Sequence, residues 1–219
     1  MPDRDNCINP SASRPGDGQS WQQRAELERD LLERLQAPGQ SGIPRRKGAG
    51  PCAASFAQSR LWYMDQLEPG LPLYHMQSTY RIRGPLDVTA LERSVNEIIR
   101  RHEVLRTTFV APEGQPLQVV APEMTLPVTL VDLTTVPDAE SSIQALAREH
   151  VRRQFDLARG PLLRLTLLRL GPEEHLLLLA MHHIVSDGWS MGILIREVAA
   201  LYGAFMSGRP SIRICRLSS

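Results

Sequence analysis

The feature that most constrains the fold of this chain is an almost unbroken apolar run, HLLLLAMHHIV, at residues 175–185. A strand with one face in water alternates polar and apolar side chains, whereas a continuous run predicts a strand covered on both faces. The run therefore predicts a sheet with packed helices. It ends in two adjacent histidines, His182 and His183, which any account of function must explain.

Helical and strand patterns alternate on both sides of this run. Apolar residues at helical spacing predict helices at 55–68, 87–106, about Ser141 to Phe155, and 189–207. Period-two alternation predicts strands at 74–83, 128–133 and 162–170, with a hairpin over 107–122. In the second helix, Val104 is expected on the apolar face and Asp87 or Thr89 at the N-cap. Together the patterns predict an α/β (α+β) two-layer sandwich with a mixed β-sheet.

Composition shifts along the chain predict the domain boundaries. Residues 1–20 are rich in Pro, Ser, Gly and Asp and are expected to be a disordered tail. A short helix is predicted at 21–37, followed by a linker at 38–52. The main domain is expected to span 53–208. Residues 209–219, which include RPSIRICRLSS, continue neither a helical nor a strand pattern and are interpreted as an atypical tail.

Charge and cysteine content exclude several classes of function. The formal net charge is +1, and the short basic clusters give no nucleic-acid-binding footprint. The longest apolar stretch, 176–181, is far shorter than the ~20 residues that span a bilayer. No secretory signal pattern is visible, and three widely spaced cysteines fit a reducing compartment. We therefore expect a cytoplasmic protein that binds neither nucleic acid nor membrane.

Alternation along the apolar run places the two histidines on opposite faces. A shared metal ion requires both imidazoles to converge, so no metal site is predicted. Asp187 follows His183 by four residues, with Gly188 next, and a turn there allows the carboxylate to fix local geometry. Gly188 would permit a positive φ or a close approach to the backbone.

Three segments in order resemble the motifs of the condensation domains of nonribosomal peptide synthetases. They are SFAQSRLWYMDQLEPG at 55–70, RHEVLRTTF at 101–109 and MHHIVSDGWS at 181–190, where HHxxxDG is intact from His182 to Gly188. FDLARGPLLRLTLLRL at 155–170 also resembles the approach to the third motif. The resemblance covers roughly residues 53–208 and implies the N-terminal lobe of a chloramphenicol acetyltransferase-like fold.

The resemblance implies amide bond formation between two carrier-bound substrates. The donor is an acyl or peptidyl thioester on the phosphopantetheine arm of one carrier protein, and the acceptor is an aminoacyl amine on a second carrier. No cofactor is expected to bind directly, because the phosphopantetheine arms of the partners deliver the substrates. An adenylation domain and a C-terminal lobe, the latter missing from this chain, are the further partners implied.

The resemblance also implies roles for residues of the third motif. His183 matches the catalytic histidine, which would accept a proton from the amine or position it by a hydrogen bond. His182 is expected to have an orienting role. Asp187 would be a structural anchor paired with an arginine, with Arg106 as a candidate, and Gly188 would keep the tunnel open.

Other motif residues are interpreted as structural. Trp189 is expected to pack, and Ser190 to cap the final helix. Arg60, Arg101 and Arg106 are assigned structural rather than substrate-binding roles.

Several alternatives stay open at this point. Within the family, an epimerisation domain shares the HHxxxDG core, although GWSMGIL after the aspartate favours condensation. A stand-alone acyltransferase that uses a coenzyme A thioester is a second possibility. The third is a non-catalytic fragment, because the family's second lobe has no counterpart here and a truncated chain is expected to hold only half of the cleft.

Overall fold

The computed structural model of the protein describes residues 50–69, 71–207 and 213–217. The disordered tail predicted at 1–20, the helix at 21–37 and the linker up to residue 49 lie outside the described residues.

Strands and helices alternate along the described chain. The strands are β1 (Cys52–Ala53), β2 (His75–Arg83), β3 (Thr107–Val110), β4 (Leu117–Val120), β5 (Thr129–Asp132), β6 (Leu163–Gly171), β7 (Glu174–His182) and β8 (Arg213–Leu217). The α-helices are α1 (Phe56–Leu67), α2 (Val88–Arg101), α3 (Ala139–Arg152) and α4 (Gly188–Phe205). Short 3₁₀ turns at Pro72–Tyr74 and Glu103–Arg106 complete the set.

The strands form two sheets, and the larger one is mixed as predicted. Its order is β5-β6-β7-β2-β8, with β5 parallel to β6 and the other neighbours antiparallel. The smaller sheet has the order β1-β4-β3 and contains the predicted hairpin of β3 and β4. The mixed α/β architecture expected from the sequence is confirmed.

Strand β7 explains the apolar run, because both of its faces are covered. Leu177 and Leu179 belong to the main core, which is completed by apolar residues of α2 and α4. Leu176 and Leu178 face a second cluster with Leu168, against which partly buried residues of α3 pack. The centre of the sheet therefore has no solvated face, and the third sequence motif begins at the end of this buried strand.

Helix α2 begins where a capping residue was expected but ends earlier than predicted. Asp87 caps it, since its Oδ1 accepts a hydrogen bond from the backbone N–H of Ala90 at 2.9 Å. The α-helix stops at Arg101, and the 3₁₀ turn that follows rotates Val104 away from the apolar face. Val104 is exposed, so its predicted place in the core was wrong.

In the C-terminal tail, where the sequence continued neither a helical nor a strand pattern, residues 213–217 have regular structure. These residues form β8 and pair with β2 from Thr79 to Arg83 in an antiparallel register. An edge strand of this kind is specified by the unpaired backbone N–H and C=O groups of its neighbour, which side-chain patterning does not reveal.

Candidate active site

The third motif forms a tight turn between β7 and α4. β7 ends at His182, and the backbone N–H groups of Val185 and Ser186 donate to the carbonyls of His182 and His183 at 3.1 and 3.4 Å. The backbone N–H of His183 donates to the carbonyl of Tyr74 at 2.8 Å, which ties the turn to the segment that precedes β2. We call residues 182–186 the histidine turn.

His182 is buried and orients the turn from inside. Its Nδ1 accepts a hydrogen bond from the backbone N–H of Ile184 at 3.1 Å. The rings of Tyr74, His75 and Phe155 surround its imidazole. Burial, followed by the nearby His75 and His183, lowers the pKa of His182 to about 4. The ring is therefore neutral at physiological pH and can serve as the acceptor that this turn needs.

His183 comes directly after the last residue of β7 and is exposed, whereas the preceding His182 is buried. Its Nδ1 lies 2.6 Å from the carbonyl oxygen of Ser186. A carbonyl only accepts, so Nδ1 carries the hydrogen, and Nε2 of the neutral ring has the free lone pair. The arrangement prepares one nitrogen of His183 to accept a proton or a hydrogen bond from a substrate.

Asp187 caps helix α4 and does not pair with an arginine among the described residues. Its Oδ1 accepts from the backbone N–H of Ser190 at 2.7 Å, while Ser190 Oγ accepts from the backbone N–H of Asp187 at 2.8 Å. The hydrogen bond from the backbone N–H of Ser190 is the main cause that holds the pKa of Asp187 below its usual value. Asp187 is thus the N-cap residue of α4, and Ser190, which was expected to be the cap, is its partner in a capping box.

The arginine proposed for Asp187 is engaged elsewhere. Arg106 Nη1 donates to the carbonyl of Ala121 at 2.7 Å, and its Nη2 lies 3.7 Å from Glu103. Arg101 lies at the end of α2 and forms an ion pair with Glu97 at 2.7 Å. The predicted Asp187–Arg106 pair was wrong because each side chain finds a partner close to it along the chain or across a neighbouring strand.

The expected packing of Trp189 was wrong, and of the two possibilities given for Gly188 the positive φ is not observed. Trp189 does not pack, since 80% of its surface is exposed in the first turn of α4. Gly188 is the first residue of α4 and its φ is not positive, and a Cβ placed there would meet nothing within 4 Å. Neither residue is therefore required by packing within the described part of the chain.

His183 opens onto a cleft of about 640 Å³ between α1 and the histidine turn. The residues that line it are Phe56, Ala57, Gln58, Arg60, Leu61, Tyr74, His183, Ile184, Val185, Ser186, Asp187 and Ser190. The first and third motifs, far apart in sequence, thus form opposite walls of one cleft. Sequence reasoning missed Gln58 and Tyr74: Gln58 lies in the quoted first motif, whereas Tyr74 carries no signal of its own.

Metal-binding clusters and membrane-spanning helices are both absent from the described residues. Within 50–69, 71–207 and 213–217, His, Cys, Asp and Glu side chains do not gather in threes that could hold a metal ion. Over the same residues, every helix is too short or too polar to cross a membrane.

Comparisons with known proteins agree on one family. The family model for the condensation domain matches residues 49–213. Phosphinothricin tripeptide synthetase PhsC of Streptomyces viridochromogenes is 46% identical over 193 residues, which are 86% of this chain and 18% of that protein. Malpibaldin synthetase of Mortierella alpina is 42% identical over 170 residues, which are 77% of this chain and 3% of that protein. The chain thus spans only a small part of the length of these relatives.

Solved structures give the same result at the level of the fold. The starter condensation domain of rhizomide synthetase RzmA is 26% identical with a TM-score of 0.68, over 74% of this chain and 39% of that chain. The X-domain solved in complex with OxyB from teicoplanin biosynthesis is 32% identical with a TM-score of 0.66, over 80% of this chain and 37% of that chain. This chain therefore belongs to the condensation-domain family of nonribosomal peptide synthetases.

Proposed function

We propose that this chain contributes the His183 side of a site that forms amide bonds in nonribosomal peptide synthesis. The amine of a carrier-bound aminoacyl group attacks the carbonyl carbon of a carrier-bound acyl or peptidyl thioester. A C–N bond forms, the C–S bond breaks, and the phosphopantetheine thiol leaves with the proton that the amine gives up. The acyl or peptidyl group is thereby transferred from the donor carrier to the amine on the acceptor carrier.

The observation that carries this proposal is the hydrogen bond from His183 Nδ1 to the Ser186 carbonyl. It leaves Nε2 as the acceptor on an exposed ring that lines the cleft. A group in that position can take the amine proton, or it can hold the amine by a hydrogen bond while the tetrahedral intermediate forms. We assign His183 as the catalytic residue, and His182 and Asp187 as the residues that shape its loop.

The proposal includes partners and a location. The partners are donor and acceptor carrier proteins with phosphopantetheine arms, an adenylation domain that supplies the aminoacyl group, and a C-terminal lobe that faces the cleft. Residues 53–208 would then be the N-terminal lobe, and the location would be the cytoplasm. Relatives named as synthetases of phosphinothricin tripeptide and malpibaldin support these assignments.

A binding role without catalysis is the second candidate. It is favoured by the X-domain neighbour, which was solved as a complex with the protein OxyB. Exposed apolar side chains within the first motif, Phe56 and Leu67, would suit such a role because they offer apolar area to a partner.

The two candidates are separated by a transfer assay. The chain is mixed with an acyl-loaded donor carrier and an aminoacyl-loaded acceptor carrier, with and without the C-terminal lobe of a related condensation domain. Intact mass of the acceptor carrier reports the transfer. Transfer that requires His183 supports the proposal, whereas transfer from an acyl coenzyme A without a carrier supports the stand-alone acyltransferase. If the chain binds a carrier but transfers nothing, with the C-terminal lobe or without it, the proposal is contradicted and the binding role is favoured.

A further inference from the structure

Helix α1 forms one wall of the cleft, yet it is not anchored by deeply buried side chains. None of its described residues is buried, and only Leu61 and Trp62 pack, partly buried, against the main core. A helix held in this way has its position decided to a large extent by its polar contacts. The placement of α1 relative to His183 therefore depends on whichever side chain bridges the two walls.

Gln58 is a side chain that makes such a bridge. Its Oε1 accepts a hydrogen bond from the backbone N–H of Ser55 at 2.9 Å. A backbone N–H can only donate, so the orientation of the amide is settled, and Nε2 must face the other way. That Nε2 lies 3.2 Å from Gln118 Oε1 and 3.4 Å from the carbonyl oxygen of Ile184.

The contact with Ile184 reaches the centre of the histidine turn. The backbone N–H of Ile184 is held by His182 Nδ1, and its carbonyl is directed at Gln58. Two residues later, the Ser186 carbonyl receives the Nδ1 hydrogen of His183. A displacement of the peptide group after Ile184 would therefore move the acceptor that selects the tautomer of His183.

Gln118 supports the bridge from the other side. It accepts from Gln58 and donates its own Nε2 to the carbonyl of Ala53 at 3.1 Å. The small sheet of β1 and β4, helix α1 and the histidine turn thus meet at one pair of amides. Gln58 is half-buried in this junction and lines the same cleft as His183.

We infer that Gln58 is a positioning residue for His183. It fixes the Ile184 carbonyl relative to α1, and through the turn it keeps the Ser186 carbonyl in place for His183 Nδ1. Gln58 itself takes no part in proton transfer. The inference rests on the proposed function only where it concerns turnover, since the effect on the imidazole is a property of this chain alone.

The sharpest test uses Gln58→Glu. The carboxylate keeps an acceptor for Ser55, but an oxygen replaces the donor that faces Ile184. Gln118 can rotate its amide to donate to the new carboxylate only by giving up its hydrogen bond to the carbonyl of Ala53, and the backbone carbonyl of Ile184 cannot become a donor at all. Gln118→Leu is the matched control, because it disturbs the small sheet while leaving the Gln58–Ile184 contact. Gln66→Glu, on the exposed side of the same helix, controls for the added charge.

The first readout is the imidazole of His183 in this chain with ¹⁵N-labelled histidine, assigned with His183→Ala. We expect the Nδ1–H tautomer to predominate in the wild type and in both controls. In Gln58→Glu its population should fall and that of the Nε2–H tautomer should rise. Unchanged His183 nitrogen shifts in Gln58→Glu, or an equal change in Gln118→Leu, would overturn the inference.

The second readout is transfer between loaded carriers with a supplied C-terminal lobe. For Gln58→Glu we expect kcat to fall about ten- to a hundredfold with KM nearly unchanged, as for a displaced catalytic group. A rise in KM at constant kcat would instead assign Gln58 to substrate binding and contradict a positioning role. If the wild type transfers nothing while the His183 signals respond to Gln58→Glu, the proposed function fails and the positioning role stands.

Discussion

His183 Nδ1 and the carbonyl oxygen of Ser186 lie 2.6 Å apart, and this contact decides which nitrogen of the ring is available to a substrate. The donor in the contact is the imidazole, so the acceptor nitrogen, Nε2, is left for the cleft. The histidine turn therefore determines both the direction and the tautomer of the exposed His183 ring.

Removal of the His183 ring should separate chemistry from folding. His183→Ala is expected to abolish acyl transfer, while the free energy of unfolding changes by less than about 0.5 kcal/mol because the ring is exposed. Transfer between loaded carriers and urea denaturation measure the two effects. His102→Ala, which removes another exposed imidazole, is the control and should retain transfer. Turnover of His183→Ala at the wild-type rate would remove the catalytic assignment.

His182 should behave in the opposite way, because its contribution is a hydrogen bond inside the fold. His182→Leu leaves the backbone N–H of Ile184 without its acceptor and is expected to cost about 1–3 kcal/mol of unfolding free energy. His182→Asn places an amide oxygen near the position of Nδ1 and should recover part of that loss. Urea midpoints measure both variants, and equal midpoints for Leu and Asn would argue against the role of this hydrogen bond.

Buried imidazoles predict how stability depends on pH, and His175, whose pKa is also lowered chiefly by burial, acts in the same direction as the two considered next. The pKa values of His182 and His150 are each lowered from 6.5 to about 4, in both cases chiefly by burial. The unfolded chain binds protons at these positions that the folded chain excludes. The contribution of these neutral rings to the free energy of unfolding should therefore be fully present above pH 6.5 and should be lost as the pH is lowered towards 4.

The size of this effect can be measured as proton uptake. Near pH 5, His182 and His150 should together contribute about two protons to the uptake on unfolding, which is read from the slope of unfolding free energy against pH. His182→Asn and His150→Leu should each remove about one proton from that slope. A slope that neither variant changes would show that these rings are not the origin of the dependence.

Trp189 tests the exposure of the first turn of α4. We expect Trp189→Ala to change the unfolding free energy by less than about 0.5 kcal/mol, since its ring makes little contact within the described part of the chain. The fluorescence of Trp189 is obtained as the difference between the wild type and Trp189→Phe, and iodide should quench this difference. A substantial loss of stability, or a component of fluorescence protected from iodide, would mean that the ring is covered in solution.

Asp187 is expected to act as a helix cap. Asp187→Asn and Asp187→Ser keep an acceptor for the N–H of Ser190, whereas Asp187→Ala does not. The urea midpoint should therefore fall in Asp187→Ala and recover in the other two variants. The pKa of Asp187 is lowered, so its contribution is present above the usual value of 3.8 and is lost as the pH falls through its folded value. Equal midpoints for all three variants would exclude the capping role.

Local patterns in the sequence were sufficient for much of the fold. The apolar run predicted a strand with two covered faces, and β7 has both faces packed because Leu177 and Leu176 enter separate clusters. The hairpin was also predicted correctly, and the cap proved to be Asp87, one of the two candidates with Thr89, since both features depend on neighbours within a few residues. The C-terminal end of α2 was predicted wrongly. Val104 is apolar and fitted the helical spacing, but the backbone has already left the α-helix at this residue.

By itself the sequence determined that the two histidines come at the end of a strand covered on both faces, because an unbroken apolar run leaves no face for solvent. It also contained the motifs that identify the family. Only the tertiary structure decided which ring is buried, that Asp187 contacts Ser190 instead of Arg106, and that Gln58 meets Ile184. The physical reason is that burial and hydrogen-bond partners are set by distances between segments that are remote in the chain: 126 residues separate Gln58 from Ile184, and no local pattern encodes that approach.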